Sequence, residues 1–473
     1  MKRSMLKIYF SIACCFCCLG LFSCKQFLVV DPPVDQLSPA LVFNSEDAAN
    51  AAIAGIYSRM ANGGSGGFAS GDIGSVASFA GMCADELINY NVSYNEYYKN
   101  SIPVNSSNVG SNLWAGTYQY IYTANAIIEG VDRSNNLSAA ARKQLLGEAR
   151  FIRAFCFFYL TNLFGDIPMP LSTDYVKNSE AVRLSQDKVY DQIIDDLKLA
   201  DELLPNAYYT QGRVRPTSWT AKAMLARVYL YTKNWQGAAE MADSVIENKS
   251  LFGLERNLEN VFLSTSREAI WQLMPVRPGL NTNEGNLFII GTALGSVSLS
   301  SELTDSFDKT DRRWASWVGS ATISNKEYFY PYKYKVKTGS PVVEYSMILR
   351  LAEQYFIRGE ALIEMGRISD GISDINFVRK RSRPEPTTDV PDPLPDYSDD
   401  IEKEEALMAV EKERRLELFT EWGHRWLDLK RTHRAGVVLS ALKGTDWQDT
   451  DVLFPIPQIE RSANHLITQN DGY

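Results

Sequence analysis

Residues 218–248 read SWTAKAMLARVYLYTKNWQGAAEMADSVIEN, and the reading of this stretch decides the fold. Apolar residues recur at helical spacing on both sides of Lys233-Asn234, predicting helices over Ser218–Thr232 and Trp235–Asn248 with a tight turn between them. Small alanines at 223, 226, 238, 239 and 242 let two antiparallel helices approach closely, the layout of a tetratricopeptide-like unit. A second copy runs from Met347 to Arg381, with Leu351, Tyr355, Ala361 and Leu362, a turn at Gly366-Arg367, then Ile372, Ile375 and Val378. A shift of 132 residues superposes Leu230 on Leu362 and Asn234 on Gly366. Ordinary amphipathic hairpins share part of this pattern.

Working outward, Ala139–Phe164 reads as a long helix that stops at Gly165, with Pro168 three residues on. Trp114–Gly130, Gln186–Leu204 and Glu402–Arg434 are further helical stretches, and Ser45-Glu46-Asp47 makes a capped start to another. Residues 62–74 (NGGSGGFASGDIG) read as a flexible loop, and 384–400 as a solvated Pro/Asp loop. Between 250 and 345, runs such as EAIWQLM, NLFIIG and YFYPYKYKV are broken by Gly, Asn and Pro, predicting loops and a few short strands. The expected fold class is mainly α: a tetratricopeptide-like helix-pair scaffold over 45–60, 114–248, 347–381 and 402–434. Variable, loop-rich parts are expected at 61–113 and 250–345.

At the N-terminus a short basic segment precedes Ile8–Phe22, which carries no charge, and Leu21-Phe22-Ser23-Cys24 ends the run. A small residue before a cysteine predicts a lipoprotein signal over 1–23 and lipidation of Cys24; an ordinary signal peptide or an uncleaved anchor is the alternative. Residues 24–40, rich in proline, then form an extended tether to a domain over 41–473. Of seven cysteines, four leave with the signal and Cys24 carries the lipid, so only Cys83 and Cys156 remain as thiols. They can pair in an oxidising compartment, although Cys156 lies in an apolar helical stretch and reads as a buried thiol. Loss of Lys2, Arg3 and Lys7 takes the net charge from −9 to −12, which argues against nucleic acid or anionic lipid as a partner.

Catalytic patterns are scarce. The three histidines form no HExxH or close pair, so no zinc site is expected. Gly63-Gly64-Ser65-Gly66-Gly67 matches a nucleophile elbow in spelling, but no apolar strand precedes it. Asp85-Glu86 is a candidate carboxylate pair for glycoside hydrolysis, with an ordinary loop acid as the plainer reading. The expectation is a protein that is not an enzyme and needs no cofactor or metal. Aromatic and amide side chains in loop-like sequence are what remains: Tyr90, Asn91, Tyr94, Tyr97 and Tyr98, then Asn281 and Asn283, then Trp314 and Trp317. Aromatic faces stack on the C–H faces of sugars while amides bond hydroxyls, so these are the candidate ligand-binding residues; core packing is the competing reading for each.

Several stretches resemble the SusD/RagB family of outer-membrane nutrient-binding lipoproteins. They are FLVVDPP at 27–33, DAANAAIAGIYSRM at 47–60, EARFIRA at 148–154, NLFGDIP at 162–168 and RGEALIEMG at 358–366. The most specific are ERRLEL at 413–418, EWGHRWLDLKR at 421–431 and the tail FPIPQ at 454–458. Gly359 departs from the alanine usual there. The resemblance implies about four tetratricopeptide-like pairs and a variable ligand region. It also implies a non-catalytic, surface-exposed, lipid-anchored protein of the outer membrane. Such a protein captures oligosaccharides, or in an alternative reading peptides, and passes them to a SusC-like TonB-dependent transporter. A surface glycoside hydrolase is the alternative of a different class. The charges around Glu421, Arg425, Asp428 and Arg431 then read as a structural salt-bridge network.

Overall fold

A computed structural model of the chain describes residues 42–64 and 67–473, so the expected signal, Cys24 and the tether lie outside the described residues, as do Ser65 and Gly66. The Ala139–Phe164 helix is the spine. Ser138 caps its start by accepting the Ala141 N–H at 3.2 Å, and Gly165, with φ 71°, ends it in backbone that favours glycine. Almost every residue from Ala149 to Phe164 is buried, because helices Gly116–Arg133 and Gln186–Leu203 pack on either side. Arg153 ties the three together: it donates to both Asp196 oxygens, at 2.8 and 2.7 Å, and to Asn125 at 2.8 Å. The helical start expected at Trp114 is instead a wide π-type turn over Asn108–Ala115 that leads into Gly116.

Next come the two alanine-rich helices, Ser218–Tyr231 and Trp235–Ile246. Their second copy is Leu351–Glu364 with Ile368–Lys380. Both helix starts differ by 133 positions, one more than the shift read from sequence. The corrected register puts Lys233 on Gly366, each with positive φ in its turn, and Ala226 and Ala238 on Gly359 and Gly371. That is where the small residues matter. Ala226, Ala238, Ala239 and Ala242 share one core cluster with Ile357 and Ala361, which joins the first copy to the second. In the second pair a Cβ on Gly371 would stand 2.5 Å from the Gly359 carbonyl oxygen, so its helices sit closer than an alanine allows.

Two expected helices are altered by tertiary contacts. Met347 to Arg350 belong to a strand, and the helix begins only at Leu351. Glu402–Arg434 divides into Lys403–Leu418 and His424–Arg431. Between them Thr420, Trp422 and Gly423 take positive φ, and the intervening side chains are spent on other elements: Glu421 pairs with Arg350, and Trp422 Nε1 donates to the Met347 carbonyl at 2.8 Å. The loop expected at 62–74 is likewise pinned, since Phe68 is buried among Tyr120, Phe155, Tyr159 and Trp422.

Strands are short. In chain order they are β1 (Leu87–Asn89), β2 (Ile167–Pro168), β3 (Arg183–Leu184), β4 (Ala269–Leu273), β5 (Val297–Leu299), β6 (Val318–Ile323), β7 (Lys326–Pro331) and β8 (Ser346–Arg350). They pair antiparallel as β1–β5, β2–β3, β4–β8 and β6–β7. Ser324 and Asn325, both at positive φ, form the two-residue turn of the β6–β7 hairpin. Cys83 and Cys156 are both buried and unpaired, so the optional disulfide is not formed and the buried-thiol reading of Cys156 holds.

Candidate functional site

The segment after β1 and the β6–β7 hairpin meet on one surface. Tyr90 continues the β1–β5 ladder, its N–H donating to Ser296 at 2.8 Å, while its hydroxyl lies 2.9 Å from Ser298 Oγ. Its ring stays exposed and meets Tyr328 of β7 edge to face, with centroids 5.9 Å apart. Lys326 lies over the Tyr328 ring, 5.1 Å from its centroid. Strand alternation then places Phe329 on the opposite face of the hairpin, where it packs on Trp314.

Beside Tyr90, Tyr98 lines an open cleft of about 290 Å³ together with Ile88, Lys99, Ser301, Glu302 and Asp446. Burial raises the Tyr98 phenol above its ordinary value, and the nearby Glu302 and Tyr90 push it the same way. The floor is held by Lys443, which donates to the Met82 and Tyr98 carbonyls at 2.7 and 2.9 Å and to Asn100. Burial pushes its ammonium down to about 8. Partly exposed rings, the Lys99 ammonium and the Glu302 and Asp446 carboxylates around the cleft can stack on a sugar and bond its hydroxyls.

Of the residues expected to bind ligand, Tyr90 and Tyr98 keep exposed surface here, while Tyr94 is half-buried and stacks on Tyr97 with centroids 6.3 Å apart. Asn91 is half-buried, and its Oδ1 caps the next turn by accepting the Ser93 N–H at 3.1 Å. The other candidates lie elsewhere or face inward. Tyr97 is fully buried between Phe79 and Phe454. Asn281 is buried and accepts from the Val343 and Glu344 amides at 2.7 and 3.2 Å, and Asn283 donates to the Ala61 and Ser70 carbonyls at 2.9 and 2.7 Å. These two amides tie loops together. Trp317 is fully buried, donates to the Leu258 carbonyl and is surrounded by Lys333, Arg350 and Arg381, so it has no free face for a sugar. Trp314 is half-buried and Lys309 covers its ring at 3.4 Å. Reading residue by residue missed Tyr328. The alternating run YFYPYKYKV carries the signal, since every second side chain of such a strand shares a face.

Asp85 and Glu86 do not form a free carboxylate pair. Burial would raise Asp85, but Arg425 and Arg415 outweigh it and hold the carboxyl below its usual value. Glu86 is enclosed, pushed up to about 7 by burial and by Asp85. The charges of 413–431 form a buried ionic lattice. Arg350 bonds Glu417 at 2.7 Å and Glu421 at 2.8 Å, while Arg414 and Arg431 both bond Asp428 at 2.8 Å. This lattice ties β8 to the C-terminal helices, and its Arg415 and Arg425 reach Asp85, which lines the cleft of Tyr98.

Comparison with known proteins agrees with this architecture. Residues 26–230 match a SusD-like family described as starch-binding associating with outer membrane, and residues 301–473 match the SusD family. A SusD-like protein of Formosa agariphila is 29% identical over 283 residues, which make up 57% of this chain and 52% of that protein; the chain thus spans about half the length of that relative. Another from the same organism is 27% identical over 419 residues, covering 77% of this chain and 80% of the relative. A SusD superfamily structure from Bacteroides vulgatus superposes with TM-score 0.75 at 21% identity, over 91% of this chain and 99% of that one. A structure described as a laminarin binding SusD-like protein gives TM-score 0.72 at 22% identity, over 90% and 99%. Two family matches that together span most of the sequence, and a shared helical scaffold, lead to one conclusion: the chain belongs to the SusD/RagB family.

Proposed function

We propose that this protein is a non-catalytic, lipid-anchored binding protein of the outer membrane that captures oligosaccharide at the cell surface and passes it to a TonB-dependent, SusC-like transporter. The observation that carries the binding part is the pair of exposed Tyr90 and half-buried Tyr328 beside the cleft of Tyr98, Lys99, Glu302 and Asp446. Crossed aromatic rings at the edge of a shallow polar cleft suit the alternating apolar and hydroxylated faces of a glycan chain. The family match supports outer-membrane association and starch-like ligands. Cys24 and residues 24–40 supply the anchor and tether in this reading.

Affinity electrophoresis of the mature chain through gels containing starch, laminarin or other polysaccharides tests the proposal. Retardation without released sugar supports it. Tyr90→Ala and Tyr328→Ala should each weaken binding by about 0.5–1.5 kcal/mol, or roughly two- to tenfold. Release of reducing sugar, or retardation that survives both substitutions together, rejects the assignment.

A further inference from the structure

A second cleft, of about 380 Å³, shares no residue with the tyrosine surface. Its walls are apolar, formed by Trp114, Tyr118, Pro168, Pro170, Ala181 and Ile467. Most of its polar side chains have spent their donors inward. Tyr118 donates to the Pro168 carbonyl at 2.7 Å, Asn178 to Ser172 at 2.8 Å, Ser179 to Val176 at 2.8 Å and Asn464 to Ala181 at 2.9 Å. Glu460 differs. It is half-buried in the cleft wall, and its carboxylate has no hydrogen-bond or ion-pair partner among the described residues.

Exposed apolar side chains neighbour the wall residues along the chain. Tyr122 lies one helical turn beyond Tyr118, and Tyr175 shares a short helix with Asn178. Leu171, Val182, Ile459 and Leu466 are each adjacent in sequence to a wall residue. Tyr175 and Ile459 are 78% and 72% exposed, which folding alone does not reward. Apolar groups concentrated around a concave centre mark a partner surface, whereas isolated ones do not.

The cleft's chemistry selects the partner. A carboxylate set among apolar walls is screened less than one in open water and attracts a cation. The Tyr118 ring adds a π face for that cation, and the prolines offer a track for an alkyl stem. An anion would be repelled, and sugar hydroxyls would find acceptors but few free donors. A lysine or arginine side chain meets all three conditions, and apolar residues beside it would cover the rim. We propose that this cleft docks a loop of a second protein, which inserts one lysine or arginine onto Glu460. The proposal stands independently of glycan binding at Tyr90 and Tyr328.

Photo-crosslinking in the native cells tests it, with a photoreactive amino acid placed at Ile459 or at Tyr175 of the full chain and the adducts mapped by peptide sequencing. The expected result is adducts on a single polypeptide, at a segment where a lysine or arginine is flanked by apolar residues. Their yield should fall at least about tenfold with Glu460→Lys, which replaces attraction by repulsion. The near-isosteric Glu460→Gln should lower it in the same direction and guards against misfolding of the lysine variant. Val437→Glu, exposed elsewhere, should leave the yield unchanged. Adducts on lipid or glycan, adducts on segments lacking a basic residue, no adduct, or a yield indifferent to both Glu460 variants would each overturn the proposal.

Discussion

Arg425 and Asp85 meet in a bidentate ion pair, both bonds 2.8 Å, although 340 positions separate them in the chain. Both side chains are about 95% buried, so neither charge can turn to water if the other is removed. Arg425→Met should therefore destabilise the protein by about 3–5 kcal/mol, seen as a lower urea midpoint with an unchanged slope. Adding Asp85→Leu should not recover that loss, because Arg415, which also lies 2.8 Å from Asp85, would then be left without its partner. A loss below about 1 kcal/mol would show that water reaches the pair.

Stability should fall steeply in acid. Burial alone would raise the Glu417 carboxyl, but Arg381, Arg350 and Arg313 outweigh it and hold it at about 2, against 4.5 when free. Asp428, between Arg414 and Arg431, is likewise held below its ordinary value. Because the folded-state values lie below the unfolded ones, these groups stabilise the fold above the unfolded values. That contribution is lost as pH falls from about 4.5 towards 2. Melting temperatures recorded from pH 7 down to pH 3 should drop mainly below pH 4.5, and a flat profile there would contradict the lattice.

Gly371→Ala tests the close helix pair. Alanine favours a helix by about 1 kcal/mol over glycine, yet its Cβ would meet the Gly359 carbonyl oxygen at 2.5 Å. Overpacking of this kind costs about 1–3 kcal/mol, so the melting temperature should fall despite the better helix former. A rise would mean that the two helices separate without penalty.

Trp317 and Tyr90 should divide stability from binding. Trp317→Ala empties a fully buried site and should cost about 3–5 kcal/mol. Whatever fraction remains folded should bind glycan with unchanged affinity. Tyr90→Ala should change stability by less than about 0.5 kcal/mol while weakening glycan retention.

The thiols at 83 and 156 should resist a thiol reagent in the native protein and react once it is denatured. Burial pushes Cys83 up to about 12 and raises Cys156 as well, so neither forms a thiolate near neutral pH. Rapid native labelling would show that these sites open.

Local sequence determined much of the scaffold. Ala139–Phe164, Ser218–Tyr231 and Trp235–Ile246 are legible because apolar spacing, caps and small residues act within a few positions of one another. The family motifs of the C-terminal helices were legible for the same reason. Tertiary structure alone decided three other things. The break between Leu418 and His424 depends on Arg350 and Met347 reaching Glu421 and Trp422 from another element. Whether Trp317 or Tyr90 faces solvent depends on what packs against each, and composition is the same either way. The candidate site needed Tyr328 to arrive beside Tyr90 across more than two hundred residues, a contact that no local pattern encodes. Helices are built from neighbours along the chain, whereas a binding surface is built from neighbours in space.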